Sequence, residues 1–319
     1  MKNNLKNKAC HCFYSSLSDI LSDKNISVAE YKLYFLLGIN PKVSRFSFDI
    51  NNKQMLYFMP YDELINNFLD IFNCKAEYIK HIKDPVNYFS MHKNDLVMIC
   101  TDLRALTYHS VQINMANDHY FTVSGYDKET GNIKITDKYV LNNTGQVNTY
   151  QDNYSLDNIL KYFRSSFMIL STDNNKYNKT DLIQMVLNEM KLLTGIKSDN
   201  TYLYGCDALR YIFGQFRNFI KEGGMPMADD LFNLILLLKT HVITMIDYTY
   251  LFISDALPRV LCEKALLKLK KTWDDTFMDI VIASYKKTAE SYIYMFDKLD
   301  DTLSEHRNLF YDIANELNG

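Results

Sequence analysis

The polar run Ser171-Thr172-Asp173-Asn174-Asn175-Lys176-Tyr177-Asn178 separates two stretches of chain whose hydrophobic periodicities demand different architectures. Before it, short segments rich in strand formers alternate with a few amphipathic ones. Arg45 to Ile50 and Gln54 to Met59 read as a hairpin across Asn51-Asn52, Tyr61 to Phe72 as a helix, and Ala76 to Ile82 as a strand. Leu96 to Cys100 is a buried strand and Phe167 to Leu170 the last strand of the sheet, with Asn142 to Asn153 a polar loop. After the run, helical spacing dominates: helices are expected over 180–193, 205–222, 228–256, 258–272 and 273–317, with Gly223-Gly224-Met225-Pro226 as a stop and restart signal. The expected class is therefore α+β, with an antiparallel-sheet domain over 1–172 and an all-α domain over 173–319 that covers or completes any site on the first.

Charge removes several function classes. Thirty-five basic residues stand against 38 acidic ones, and neither half is basic, so nucleic acid is not an expected partner. Residues 231–257 are interrupted by Lys239, His241, Asp247 and Asp255, no apolar run reaches membrane-spanning length, and Met1 to Lys8 lacks the core of a secretory signal. The expectation is a cytoplasmic protein without a membrane partner. Six cysteines, at 10, 12, 74, 100, 206 and 262, form no CxxC pair and read as free thiols. Cys10-His11-Cys12 sets metal ligands close together, but no second cluster accompanies it, so no metal and no bound cofactor are expected.

One of these cysteines stands in a chemically suggestive place. In Ala9-Cys10-His11-Cys12-Phe13-Tyr14-Ser15-Ser16-Leu17-Ser18-Asp19-Ile20-Leu21, the residues Phe13, Leu17, Ile20 and Leu21 share one helical face, which puts Cys12 at the helix N-terminus. Unpaired N–H groups and the positive end of the helix dipole favour thiolate there. Further on, His119 opens a strand running to Asp127, a turn follows over 128–132, and Ile133 to Asp137 returns antiparallel. His119 and Asp137 thus fall at the same end of a hairpin. Taken singly, His119 would pass for a strand cap, Asp137 for a turn residue and Cys12 for a small core hydrophobe. Together and in this order, they match a nucleophile, its base and the carboxylate that orients the base.

The same segments carry a family resemblance. The Cys12 stretch resembles the His-Cys helix opening of the butirosin-biosynthesis type of acyltransferase. His119 to Asp127 followed by Lys134-Ile135-Thr136-Asp137 is similar to the histidine and aspartate strands of the C39-like, papain-fold cysteine peptidases. Tyr204-Gly205-Cys206-Asp207-Ala208-Leu209 loosely resembles the opening of that type's helical region. The resemblance implies a papain-like fold and a Cys12 acyl-enzyme. It implies an acyl or peptidyl carrier protein as donor, through its phosphopantetheine arm, and a small amine or diamine as acceptor, as in thiotemplated polythioamide assembly. One departure is plain: papain-like proteases carry an oxyanion-binding glutamine before the cysteine, and this chain has Lys6-Asn7-Lys8.

Two other functions stay open at this level. A peptidase or amidase of the same fold would resolve the intermediate with water, and a non-catalytic binding protein would use the helical half to hold a ligand. Lys264, Lys268, Lys270 and Lys271 are candidates for contact with an acidic carrier protein, though a solvated helix face accounts for them equally.

Overall fold

The structure is a computed structural model that describes residues 9–37, 47–49, 54–56, 61–109, 118–141, 147–172, 179–195, 202–227, 230–231, 234–235, 238–256 and 260–318. Helices α1 (Cys12–Asp23) and α2 (Glu30–Leu37) come first, then the short strands β1 (Ser47–Asp49) and β2 (Gln54–Leu56) and helix α3 (Tyr61–Phe72). Strand β3 (Cys74–Ile79), helix α4 (Pro85–Met91), β4 (Val97–Asp102), β5 (Asp118–Asp127), β6 (Asn132–Leu141), β7 (Val147–Ser155), α5 (Leu156–Leu160) and β8 (Phe163–Thr172) follow. The remainder is α6 (Lys179–Leu193), β9 (Tyr202–Tyr204), α7 (Gly205–Lys221), a π-helical turn over Lys239–Ile243, α8 (Thr244–Ala256), α9 (Val260–Lys286) and α10 (Ala289–Asn318). The class is α+β.

Two compact units emerge: Met1–Tyr34 with Ile65–Tyr177, and Phe35–Leu64 with Asn178–Gly319. Residues 35–64, which the sequence reading kept with the sheet, group with the helices. Pairing explains this, because β1 lies between β2 and β9, with Ser47 opposite Tyr204. The hairpin turn at Asn51-Asn52 and the Lys6-Asn7-Lys8 segment lie outside the described residues.

The first unit is built on a six-stranded antiparallel sheet of order β3-β8-β4-β5-β6-β7. All six residues of β4 are buried, as its continuous apolar run anticipates. Ile99, Phe121, Val123, Ile133 and Ile135 enter a core cluster with Phe89, Leu156 and Ile159. From β5, Tyr120 packs edge-on against Phe13 of α1, the expected alternation of neighbouring residues between the faces of a sheet.

Strand β8 lies between β3 and β4 and is longer than the four residues expected, while much of the predicted polar loop over 142–153 is strand β7. That strand escapes an apolar-pattern search because it is an edge: it pairs only with β6, and five of its nine residues are exposed.

The second unit is helical apart from its small sheet. Helix α9 runs straight through Trp273, where a new helix had been expected to start, and Trp273 is fully buried along it. The break falls instead at Lys287, which takes a left-handed φ of 52°. Thr288 and Ser291 then cap α10 reciprocally, each N–H donating to the other's hydroxyl. Lys270 is no free surface cation: its Nζ donates to both carboxylate oxygens of the buried Asp247, at 2.5 and 2.6 Å. No helix among the described residues is long and apolar enough to cross a membrane.

Candidate active site

The site lies wholly within the first unit, at the N-terminus of α1, the start of β5 and the interior of β6, where Asp137 stands just before a register shift and four residues short of the strand's end at Leu141. Helix α1 buries Phe13, Leu17, Ile20 and Leu21 completely, the stripe read from the sequence, and Tyr14 with them. His11 is its N-cap, with extended backbone angles, and its Nδ1 accepts from the Phe13 N–H at 3.2 Å. Glu30 of α2 fastens the entry to the helix: one carboxylate oxygen accepts from the Cys10 N–H at 3.0 Å and the His11 N–H at 2.8 Å. Cys12 is therefore the first helical residue, held on both sides. Its own N–H belongs to the first turn, whose donors have no helical carbonyl to reach.

Register brings the histidine and the carboxylate together. Thr122 pairs with Thr136 and Val123 with Ile135, so Asp137 comes opposite Phe121, and His119, two residues before Phe121 on the same face, is its diagonal neighbour. His119 Nε2–H donates to Asp137 Oδ2 at 2.7 Å, which leaves Nδ1 as the ring nitrogen that can serve Cys12, the thiol with which His119 interacts electrostatically. Asp137 is fully buried and has further donors: Tyr108 OH at 3.0 Å and His109 Nε2–H at 3.1 Å on the same Oδ2, and the Tyr139 N–H at 3.0 Å on Oδ1. All three residues singled out from the sequence, Cys12, His119 and Asp137, stand in one connected chain.

Tyr108 and His109 are not marked by any pattern, and His11 stands out in the sequence only as a neighbour of the cysteines, not as the helix cap. His109 and Tyr108 sit on the connector after β4, where no periodicity points to them. Its described part, up to His109, is tied to β7 nonetheless. Tyr154 OH donates to the Ala105 carbonyl at 2.7 Å and accepts from the Thr107 N–H at 3.0 Å, and Tyr108 stacks on Tyr150 with centroids 3.8 Å apart. Both tyrosines come from β7, the strand missed in the sequence. The available signal was scarcity: the chain has seven histidines, and one of them lies ten residues before His119.

The electrostatics divide the cysteines sharply. Burial opposes ionisation of Cys12, but the neighbouring His119 and then His11 more than offset it and bring the thiol from an ordinary 9.0 down to about 5. Burial likewise disfavours the charged form of His119, yet Asp137 and Cys12 raise it to about 10. Asp137 is held well below the usual carboxylate range, its burial outweighed by His119 and His109. His109 is shifted the other way, neutral through burial and the proximity of His119. Cys206 has no such partner and burial pushes it up to about 12, and Cys100 moves in the same direction. The favoured state at neutral pH is a thiolate–imidazolium pair backed by a carboxylate, able to attack an electrophilic carbonyl and to return a proton to a leaving group. Cys12 keeps only 7% exposure, so bulk water has little access to the sulfur. No family model matches the chain, and no curated protein matches it.

Proposed function

We propose that this protein is a papain-like, cysteine-dependent acyltransferase that forms an amide by way of a Cys12 acyl-enzyme. The single observation that carries the reading is the continuous arrangement of Cys12 at a helix N-terminus, His119, and Asp137 at 2.7 Å from the His119 ring. Cys12 Sγ attacks the carbonyl carbon of a thioester, and the carbon–sulfur bond to the carrier thiol breaks. His119 gives that thiol its proton. The acceptor amine then attacks the Cys12 thioester, surrenders a proton to His119, and expels Cys12 as thiolate, leaving the amide. Asp137 keeps the His119 proton on Nε2 and offsets the imidazolium charge. The Cys12 N–H is the donor best placed for the oxyanion, in the absence of the glutamine that papain-like proteases use.

Transfer is favoured over hydrolysis because the sulfur is almost fully covered, and an acyl-enzyme open to water would be lost. A carrier-protein phosphopantetheine arm as donor and a small amine or diamine as acceptor follow from the family resemblance of the Cys12 and His119 segments.

Intact-protein mass after mixing wild type and Cys12→Ala with an acyl-pantetheine thioester tests this. The expected result is an acyl adduct on wild type alone, discharged to an amide when a diamine is added. Release as free acid regardless of amine would make the protein a hydrolase, and no adduct across a broad thioester panel would overturn the enzymatic reading.

A further inference from the structure

A nucleophile–base–carboxylate chain uses one imidazole, and this site has two on the same oxygen. Asp137 Oδ2 takes His119 Nε2–H at 2.7 Å, His109 Nε2–H at 3.1 Å and Tyr108 OH at 3.0 Å. That is three donors on an atom with two lone pairs. The mechanism above assigns His109 no step. Its ring meets that of His119 edge to face, centroids 4.7 Å apart and planes at 77°, so the two Nε2 atoms approach the carboxylate in different planes. One ligand atom from each of His109, His119 and Asp137 falls within 4.8 Å of the others, and all three residues are buried.

We propose that His109, His119 and Asp137 form a binding site for a transition-metal dication of the Zn2+ type, and that the bound ion switches off proton transfer at Cys12. Two imidazoles and a carboxylate are the ligand types such ions take. Bonds of about 2.0–2.2 Å to a tetrahedral ion put ligand atoms roughly 3.4 Å apart. The two Nε2–Oδ2 separations of 2.7 and 3.1 Å fall short of that by about 0.7 and 0.3 Å, so the ion enters with a spreading of side chains that is larger at His119 than at His109. Tyr108 OH or a water completes the shell. The sequence drew attention to Cys10-His11-Cys12 instead, but those residues are not in this ligand set.

The switching half rests on the acyltransferase reading. A ligating Nε2 must present its lone pair, so its hydrogen leaves and His119 retains a hydrogen only on Nδ1, facing Cys12. It then has no free nitrogen to accept the thiol or amine proton, and surrendering Nδ1–H would leave a metal-bound imidazolate. The acid–base cycle then stops.

The test is equilibrium dialysis of the full-length, chelator-treated protein against buffered Zn2+, with metal content measured directly, for wild type, His109→Ala, His109→Gln and Cys12→Ala. Circular dichroism checks that each variant is folded. The expected result is one ion per chain in wild type, unchanged in Cys12→Ala, and about 100-fold weaker binding in both His109 variants. The Co2+ form should show ligand-field bands without a thiolate-to-metal band. Failure of wild type to bind Zn2+ stoichiometrically would overturn the site, as would binding lost with Cys12 and kept without His109. Dialysis does not depend on catalysis, so it stands even if no acyl adduct forms. Where adducts do form, Zn2+-loaded protein should transfer at least tenfold more slowly than chelated protein, and equal rates would overturn the switch.

Discussion

Replacing His119 with Gln removes the positive charge beside Cys12 while keeping much of the side-chain volume, so it isolates what the imidazolium does to the thiol. Burial alone drives a thiol upward, and Cys206, buried without an imidazole partner, reaches about 12. In His119→Gln the burial of Cys12 persists and, of the two histidines, only His11 still lowers it. The thiol should therefore rise from about 5 to at least its ordinary 9.0. Four pH units correspond to about 5 kcal/mol of lost preference for the thiolate. A rate measured at pH 7 would conceal this. The thiolate fraction falls to about one in a hundred, but a thiolate of higher pKa is intrinsically more nucleophilic, by roughly 40- to 100-fold for a Brønsted slope of 0.4–0.5. The two nearly cancel. The decisive quantity is the inflection of the alkylation rate with pH, read for the Cys12 peptide by mass spectrometry on chelated protein with iodoacetamide. Wild type should turn over near pH 5 and His119→Gln at 9 or above. An inflection that stays near 5 in the variant, or lies near 9 in wild type, would refute the ion-pair account.

Three further outcomes follow from two other buried groups. Asp137→Asn keeps the shape but removes the charge behind the imidazolium, and should slow acylation of Cys12 by roughly 10²–10⁴-fold. Asp137→Leu should instead cost about 3–5 kcal/mol in urea unfolding, because His119, His109, Tyr108 and the Tyr139 N–H lose their shared acceptor. In the second unit, His306 is fully buried against Phe310, and burial holds it neutral by lowering it from 6.5 to about 3. The unfolded chain takes up that proton first, so this contribution to stability is present above pH 6.5 and lost as pH falls toward 3. His306→Phe should therefore lose roughly 3 kcal/mol less than wild type between pH 7 and pH 4, and an equal loss in both proteins would contradict it.

The sequence by itself determined the elements whose side chains face one environment. The stripe Phe13, Leu17, Ile20 and Leu21 specified α1, the run from Val97 to Cys100 specified β4, and the turn at 128–132 specified the β5–β6 hairpin. Because a hairpin fixes register locally, the proximity of His119 and Asp137 was legible too. Helix α9 was readable too, although a new helix was expected at Trp273: no glycine or proline interrupts its passage there, so no local stop signal stood behind that boundary. What tertiary structure alone decided depends on partners distant in sequence. Strand β7 is polar and owes its existence to hydrogen bonds with β6, and from it Tyr150 and Tyr154 set the Tyr108-His109 connector against Asp137. Glu30 reaches α1 from the next helix, and residues 47–49 join a strand some 150 positions later through backbone bonds that carry no side-chain pattern. Periodicity records which face of a segment is buried. It does not record what buries it, and at Asp137 that difference is a second histidine.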